Sequence, residues 1–149
     1  MYHVLLPVDV AADRARSQVD LLESLPVEAD EITATVLHVY EEVDAPADEA
    51  GSAFIEEVNE SVVELQGRPT SVTAVEARLD ELGIEHDRVE QVGDPSDAIL
   101  SVATDRDVDA IVLGMRKQSP VGKAIFGSVS QTIILNANRP VFVGKPSEN

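Results

Sequence analysis

Short apolar runs alternate with segments of helical period along almost the whole chain. "HVLLPVD" (3–9) is an apolar run closed by Pro and Asp and reads as a buried strand. Residues 12–25, "ADRARSQVDLLESL", place Ala15, Val19, Leu22 and Leu25 on one helical face. "EITATVLHVY" (31–40) is β-branched and then continuously apolar, a second strand, and "EEVDAPADEAGSA" (41–53) is an acidic loop carrying Pro and Gly. Helical spacing over 54–83 is interrupted by "QGRPTS"; Thr70 or Ser71 is placed to cap a renewed helix through "VTAVEARLDEL" that ends at Gly83. "IEHDRVEQV" (84–92) is a third strand. In "GDPSDAILSVATDRD", Asp94 sits at an N-cap, Pro95 at the first helical position and Asp97 where a capping box wants an acid. "DAIVLG" (109–114), residues 128–136 and "PVFVG" (140–144) supply a fourth strand, a further helix and a fifth strand.

Alternating strands and helices, with the strands expected to be apolar on both faces, predict an α/β fold: a single doubly wound domain whose parallel sheet is covered on each side by helices. The domain is expected over 1–146, with 147–149 a short tail. Ligands of such sheets bind outside the carboxyl ends of the strands, near the reversal in strand order. That rule directs attention to Asp9, residues 39–41, Gly93, Asp94 and the loop from Gly114.

With 149 residues the chain has room for one core that buries about two thirds of its unfolded surface. Aromatics are only 3% of the chain, against 44% hydrophobic residues in all, so that core must be aliphatic. The lack of cysteine removes disulfides, thiolate metal sites and thiol catalysis together. The N-terminal apolar run is too short for a signal peptide and no stretch reaches membrane-span length, so a cytoplasmic protein is expected.

Charge changes the picture more. Asp and Glu number 28 against 11 Lys and Arg, a formal net charge of −17, and only three of the bases are Lys. Such a surface repels nucleic acid and anionic membranes, and neither is expected as a partner. It fits two readings, an acidic interaction surface or adaptation to a cytoplasm salty enough to screen its charges; the even spread of acids and the scarcity of Lys favour the second and a halophilic archaeal source. The distribution is uneven in one respect. Residues 1–109 hold 27 acids and 6 bases, whereas 110–147 hold 5 bases and no acid.

Within that contrasting segment lies "GMRKQSPVGKAIFGS" (114–128). Gly114 follows a strand, Gly127 and Ser128 precede a helix, and Arg116, Lys117 and Lys123 lie between. Glycines that admit close backbone approach, a helix start with unpaired N–H groups and a hydroxyl together suit a phosphate chain, with a plain surface loop as the alternative. Neither G-x-x-x-x-G-K-[ST] nor G-x-G-x-x-G is present. Asp9, at the end of the first strand, reads as an acceptor for a ribose or base, as a metal ligand, or as a cap for the next helix. His3, His38 and His86 fall on three different strands without a spacing that unites them, so no metal site is assigned. No hydrolase pattern occurs, and the protein is not expected to be an enzyme, weak ATP hydrolysis aside.

"LLPVD", "VLHVYEE", "VGDPSDAIL", "VDAIVLGMRK" and "GSVSQTIILNANRPVFVGK" together resemble the universal stress protein family over essentially the whole chain. The family signature G-x-x-G-x9-G-[ST] is met by Gly114, Gly127 and Ser128, while Lys117 stands where the middle glycine falls. The resemblance implies a five-stranded parallel sheet in the order 3-2-1-4-5, a homodimer formed through the last strand, and a part in stress survival. It also implies ATP, with or without Mg²⁺, held near Pro7, Val8 and Asp9, by Val39, and by the signature loop through Gly114, Arg116, Lys117, Gly127, Ser128, Val129 and Ser130. The edge-strand residues Val141, Phe142 and Val143 are the expected dimer contacts. Two rivals stay open: a dimeric interaction module without a nucleotide, and a receiver-like signalling domain in which Asp9 helps bind Mg²⁺, Asp94 accepts a phosphoryl group and Lys145 closes the site.

Overall fold

A computed structural model describes residues 1–9, 12–40, 69–114 and 127–144. Five strands, β1 (Tyr2–Pro7), β2 (Ile32–Tyr40), β3 (Glu85–Val92), β4 (Ala110–Gly114) and β5 (Val141–Gly144), alternate with helices α1 (Ala12–Glu23), α2 (Thr70–Leu82), α3 (Pro95–Asp105) and α4 (Ser128–Asn136). Every strand pair is parallel and the sheet order is β3-β2-β1-β4-β5, as expected. The acidic loop 41–53, the first part of the 54–83 helical pattern up to residue 68 and the tail 147–149 lie outside the described residues.

The sheet separates two aliphatic cores. On one face Val4, Leu6, Val36 and Val112 pack with Val19 and Leu22 of α1 and with Val72, Val75 and Leu79 of α2. On the other, Leu5, Leu37, Ile111 and Leu113 meet Ile99 and Val102 of α3 and Ile133 of α4. Consecutive β1 residues Val4, Leu5 and Leu6 are fully buried because helices cover both sides, so this strand shows a continuous apolar run rather than alternation.

Two local expectations need correction. β3 is not apolar on both faces: among the described residues it pairs only with β2, its charged side chains reach water, and Arg88 pairs with Glu76 of α2 at 3.5 Å. A charged outer strand also discourages pairing with another sheet. The start of α2 is not capped by Thr70 or Ser71, since Pro69 holds the N-cap position without a side-chain bond and both residues lie inside the helix. Ser71 instead donates its hydroxyl to the Asp9 carbonyl at 2.5 Å, tying α2 to the chain leaving β1. The other helix ends follow their sequence signals. Gly83 closes α2 in the left-handed conformation (φ 72°), and the Asp94 carboxylate accepts from the Asp97 N–H at 3.0 Å, with Pro95 following the cap.

Candidate functional site

The ladder between β1 and β4 joins Val4 to Ala110 and Leu5 to Ile111, then stops. β1 and β2 stay paired to Pro7 and Leu37, so the sheet opens on the β4 side of β1, where the strand order reverses. Gln18 of α1, 2% exposed, spans the opening: its amide donates to the Pro7 carbonyl at 2.7 Å and to the Val112 carbonyl at 2.8 Å. One side chain thus satisfies two carbonyls at the parting of the strands.

Above it lies a cleft of about 420 Å³. Nine of the residues proposed from sequence meet there: Pro7, Val8 and Asp9 after β1, Val39 on β2, Gly114 at the end of β4, and Gly127, Ser128, Val129 and Ser130 at the start of α4. Arg116 and Lys117, with Lys123, lie outside the described residues. Gly114 and Gly127, the residues that bound this stretch of sequence, both line the cleft. Tyr40, within the stretch 39–41 singled out from the sequence, also lines it, as do Arg14, Gln18, His38, Pro95 and Ile99, which were not proposed from the sequence.

Arg14 pairs with the Asp9 carboxylate at 2.5 Å. Asp9 lies before α1 and Arg14 within it, so no helical repeat accounts for their proximity. Arg14 also explains Gly114. A Cβ at Gly114 would overlap the Arg14 Cγ and carbonyl, and one at Gly144 would overlap the Ser17 carbonyl. Gly114 therefore also serves the close packing of α1 on the end of β4, besides lining the cleft.

The start of α4 faces the cleft without a side-chain cap: Gly127 holds the N-cap position and supplies no side chain. Ser130 is 9% exposed, and its hydroxyl bonds to no group among the described residues. The first N–H groups of a helix carry partial positive charge, so this wall suits an anion.

Val39 of β2 also lines the cleft. In β2 the Leu37 carbonyl accepts from the Val8 N–H at 2.8 Å on the β1 side, and the Tyr40 carbonyl accepts from the Gly93 N–H at 2.9 Å on the β3 side. Strand groups alternate sides, so the N–H and C=O of Val39 project toward β1, past its last ladder bond.

The three histidines remain apart, as their spacing indicates. His3 Nε2 meets the Thr35 hydroxyl at 2.7 Å, His38 Nδ1 meets the Val8 carbonyl at 2.7 Å, and His86 Nε2 meets Asp80 at 2.8 Å. Thr35 also donates to Asp87, which pairs with Arg106, but it is fully buried and no solute reaches its hydroxyl. Among the described residues no cluster of three or more His, Asp or Glu is placed to hold a metal ion, and no helix is long and apolar enough to cross a membrane.

A model of the universal stress protein family matches residues 1–145. The chain belongs to that family. Membership sets aside the receiver-like alternative, and Asp94 is engaged as a helix cap. A universal stress protein of Mycolicibacterium smegmatis is 35% identical over 80 residues, 53% of this chain and 62% of that one. The universal stress protein MJ0577 of Methanocaldococcus jannaschii is 26% identical over 155 residues, covering 95% and 93% of the two chains. Its solved structure superposes with a TM-score of 0.72 over 99% of this chain and 98% of that one, at 22% identity. An Arabidopsis thaliana universal stress protein family structure with AMP bound gives a TM-score of 0.63 at 16% identity, covering 99% and 93%. These universal stress protein structures share the fold of this chain.

Proposed function

We propose that the cleft binds an adenine nucleotide, with ATP as the ligand, and that occupancy rather than turnover is its role in a stress response. The observation that carries this reading is the uncapped start of α4 inside the cleft, with the hydroxyl of the largely buried Ser130 beside it and bound to nothing among the described residues. Phosphate oxygens supply the acceptors these donors lack. Across the cleft, Val39 offers an N–H and a C=O, complementary to the ring nitrogen and amino group of adenine, and Asp9 suits the ribose hydroxyls between. The bases Arg116, Lys117 and Lys123 in the sequence between Gly114 and Gly127 suit the charge of a polyphosphate, with or without Mg²⁺. The AMP in the plant family member supports the ligand class.

Calorimetry in molar KCl tests the proposal. ATP is expected to bind, and AMP more weakly. Ser130→Ala and Asp9→Ala should each weaken ATP binding by roughly 10- to 150-fold, the worth of one hydrogen bond to a charged group, about 1.5 to 3 kcal/mol. No heat from the wild type or from Lys117→Gly, which restores the family glycine, would overturn it.

We further propose a cytoplasmic homodimer formed through β5, in a cell whose cytoplasm is rich in salt. β5 ends the sheet, and Val141, Phe142 and Val143 are only partly buried. Val141 packs into one core and Phe142 into the other, so Val143→Glu perturbs the edge with least damage within. Light scattering in high salt should give a dimer mass for the wild type and a shift toward monomer for this variant. A wild-type monomer would refute the assembly.

A further inference from the structure

We infer that His38 is a positioning residue that opens the main-chain edge of Val39 to the base. This rests on the nucleotide reading above and adds the device that creates its base-recognition edge. A carbonyl oxygen only accepts, so His38 Nδ1 must carry a proton and donate it to the Val8 carbonyl, 2.7 Å away. In a continued parallel ladder that carbonyl would accept from the Val39 N–H, one rung beyond the Val8 N–H to Leu37 carbonyl bond. Here the ladder stops, and among the described residues nothing accepts from the Val39 N–H. The imidazole has taken the rung's acceptor. Its own freedom is small: His38 is 7% exposed, and Tyr40 meets it edge to face, with ring centroids 4.6 Å apart and planes at 89°.

Two side chains differ from His in a useful way. Asn carries its amide nitrogen close to the position of Nδ1 and can keep the bond to Val8, whereas Ala cannot. In the ligand-free protein, hydrogen exchange should find the Val39 amide unprotected in the wild type and in His38→Asn. In His38→Ala the amide closes onto the Val8 carbonyl, and protection should rise at least about tenfold. AMP should then bind His38→Ala about tenfold more weakly, the worth of one hydrogen bond, while ribose 5-phosphate, which lacks the base, binds wild type and variant alike. His38→Asn should restore AMP binding.

Equal Val39 protection in wild type and His38→Ala overturns the inference, as does an equal loss of AMP and ribose 5-phosphate binding. If His38→Ala does not fold, His38→Gln replaces it, since its nitrogen is carried beyond reach of Val8; equal Val39 protection in His38→Gln and His38→Asn is then the refuting result. Failure of ATP to bind both the wild type and Lys117→Gly would defeat the nucleotide reading alone, because amide protection judges His38 without any ligand.

Discussion

Moved from about 3 M to about 0.1 M KCl, the protein is expected to lose its cooperative fold. Twenty-eight carboxylates face eleven bases, an excess of seventeen negative charges that no pairing removes. The pairs that form are mostly exposed, such as Arg78 with Glu23 at 2.8 Å and with Glu81 at 3.0 Å, and exposed pairs contribute little each. Two like charges about 10 Å apart in water repel by about 0.4 kcal/mol. Summed over dozens of unscreened pairs, that repulsion rivals a net stability of roughly 5 to 15 kcal/mol. Near 1 M salt the Debye length falls to about 3 Å and most of the repulsion disappears. Circular dichroism during heating at the two salt concentrations reads the effect, and an unchanged midpoint would remove salt adaptation as the explanation of the charge.

Replacing Gln18 is expected to be the most damaging single change in the core. Gln18→Leu preserves approximate volume but leaves the Pro7 and Val112 carbonyls without their shared donor. Pro7 borders the cleft and regains a water; Val112 is fully buried and does not. A buried polar group left unpaired costs about 1 to 3 kcal/mol, so a loss of roughly 2 to 4 kcal/mol follows once the partial loss at Pro7 is included. For a chain of this size that lowers the thermal midpoint by roughly 5 to 15 °C. Gln18→Glu should be worse at neutral pH, because a carboxylate then faces two carbonyl oxygens and burial opposes its charge. Its folded-state pKa must lie above the unfolded value of about 4.3, so the variant is stabler below that pH and weakens as pH rises through the folded value. Thermal scans of Gln18→Leu and Gln18→Glu across pH in high salt check both statements. A Gln18→Leu midpoint equal to wild type would show that the bridge is dispensable.

Much of the fold was legible because its signals are local. The Asp94–Pro95–Asp97 start of α3, the Gly83 end of α2 and the apolar runs of β1 and β4 depend on groups within a few residues, and all appear where the pattern places them. β3 misled because "IEHDRVEQV" carries strand propensity without stating how many neighbours it has; its edge position, set by the other strands, exposes it. Ser71 resembled a helix cap because its alternative partner, the Asp9 carbonyl, is 62 residues away.

The candidate site divides in the same way. Asp9, Val39, Gly114 and the Gly127–Ser130 run stood out because each ends a strand or begins a helix, and in a parallel sheet those ends gather at one edge. Arg14, Gln18 and His38 carried no such mark. An Arg in an acidic helix, a Gln among helical polar residues and a His in a strand are each ordinary, and their roles exist only once α1 lies across the parted strands and β2 lies beside β1. Gly114 shows the limit most plainly: its sequence context suggested approach of a phosphate, and nothing in it marked the close packing against Arg14 that the missing Cβ also permits. Hydrophobic period and capping chemistry by themselves determined the order and kind of elements and the excess of negative charge. Only the tertiary structure decided which buried carbonyls needed donors and where the strands part, because hydrogen-bond satisfaction joins groups that the chain alone keeps far apart.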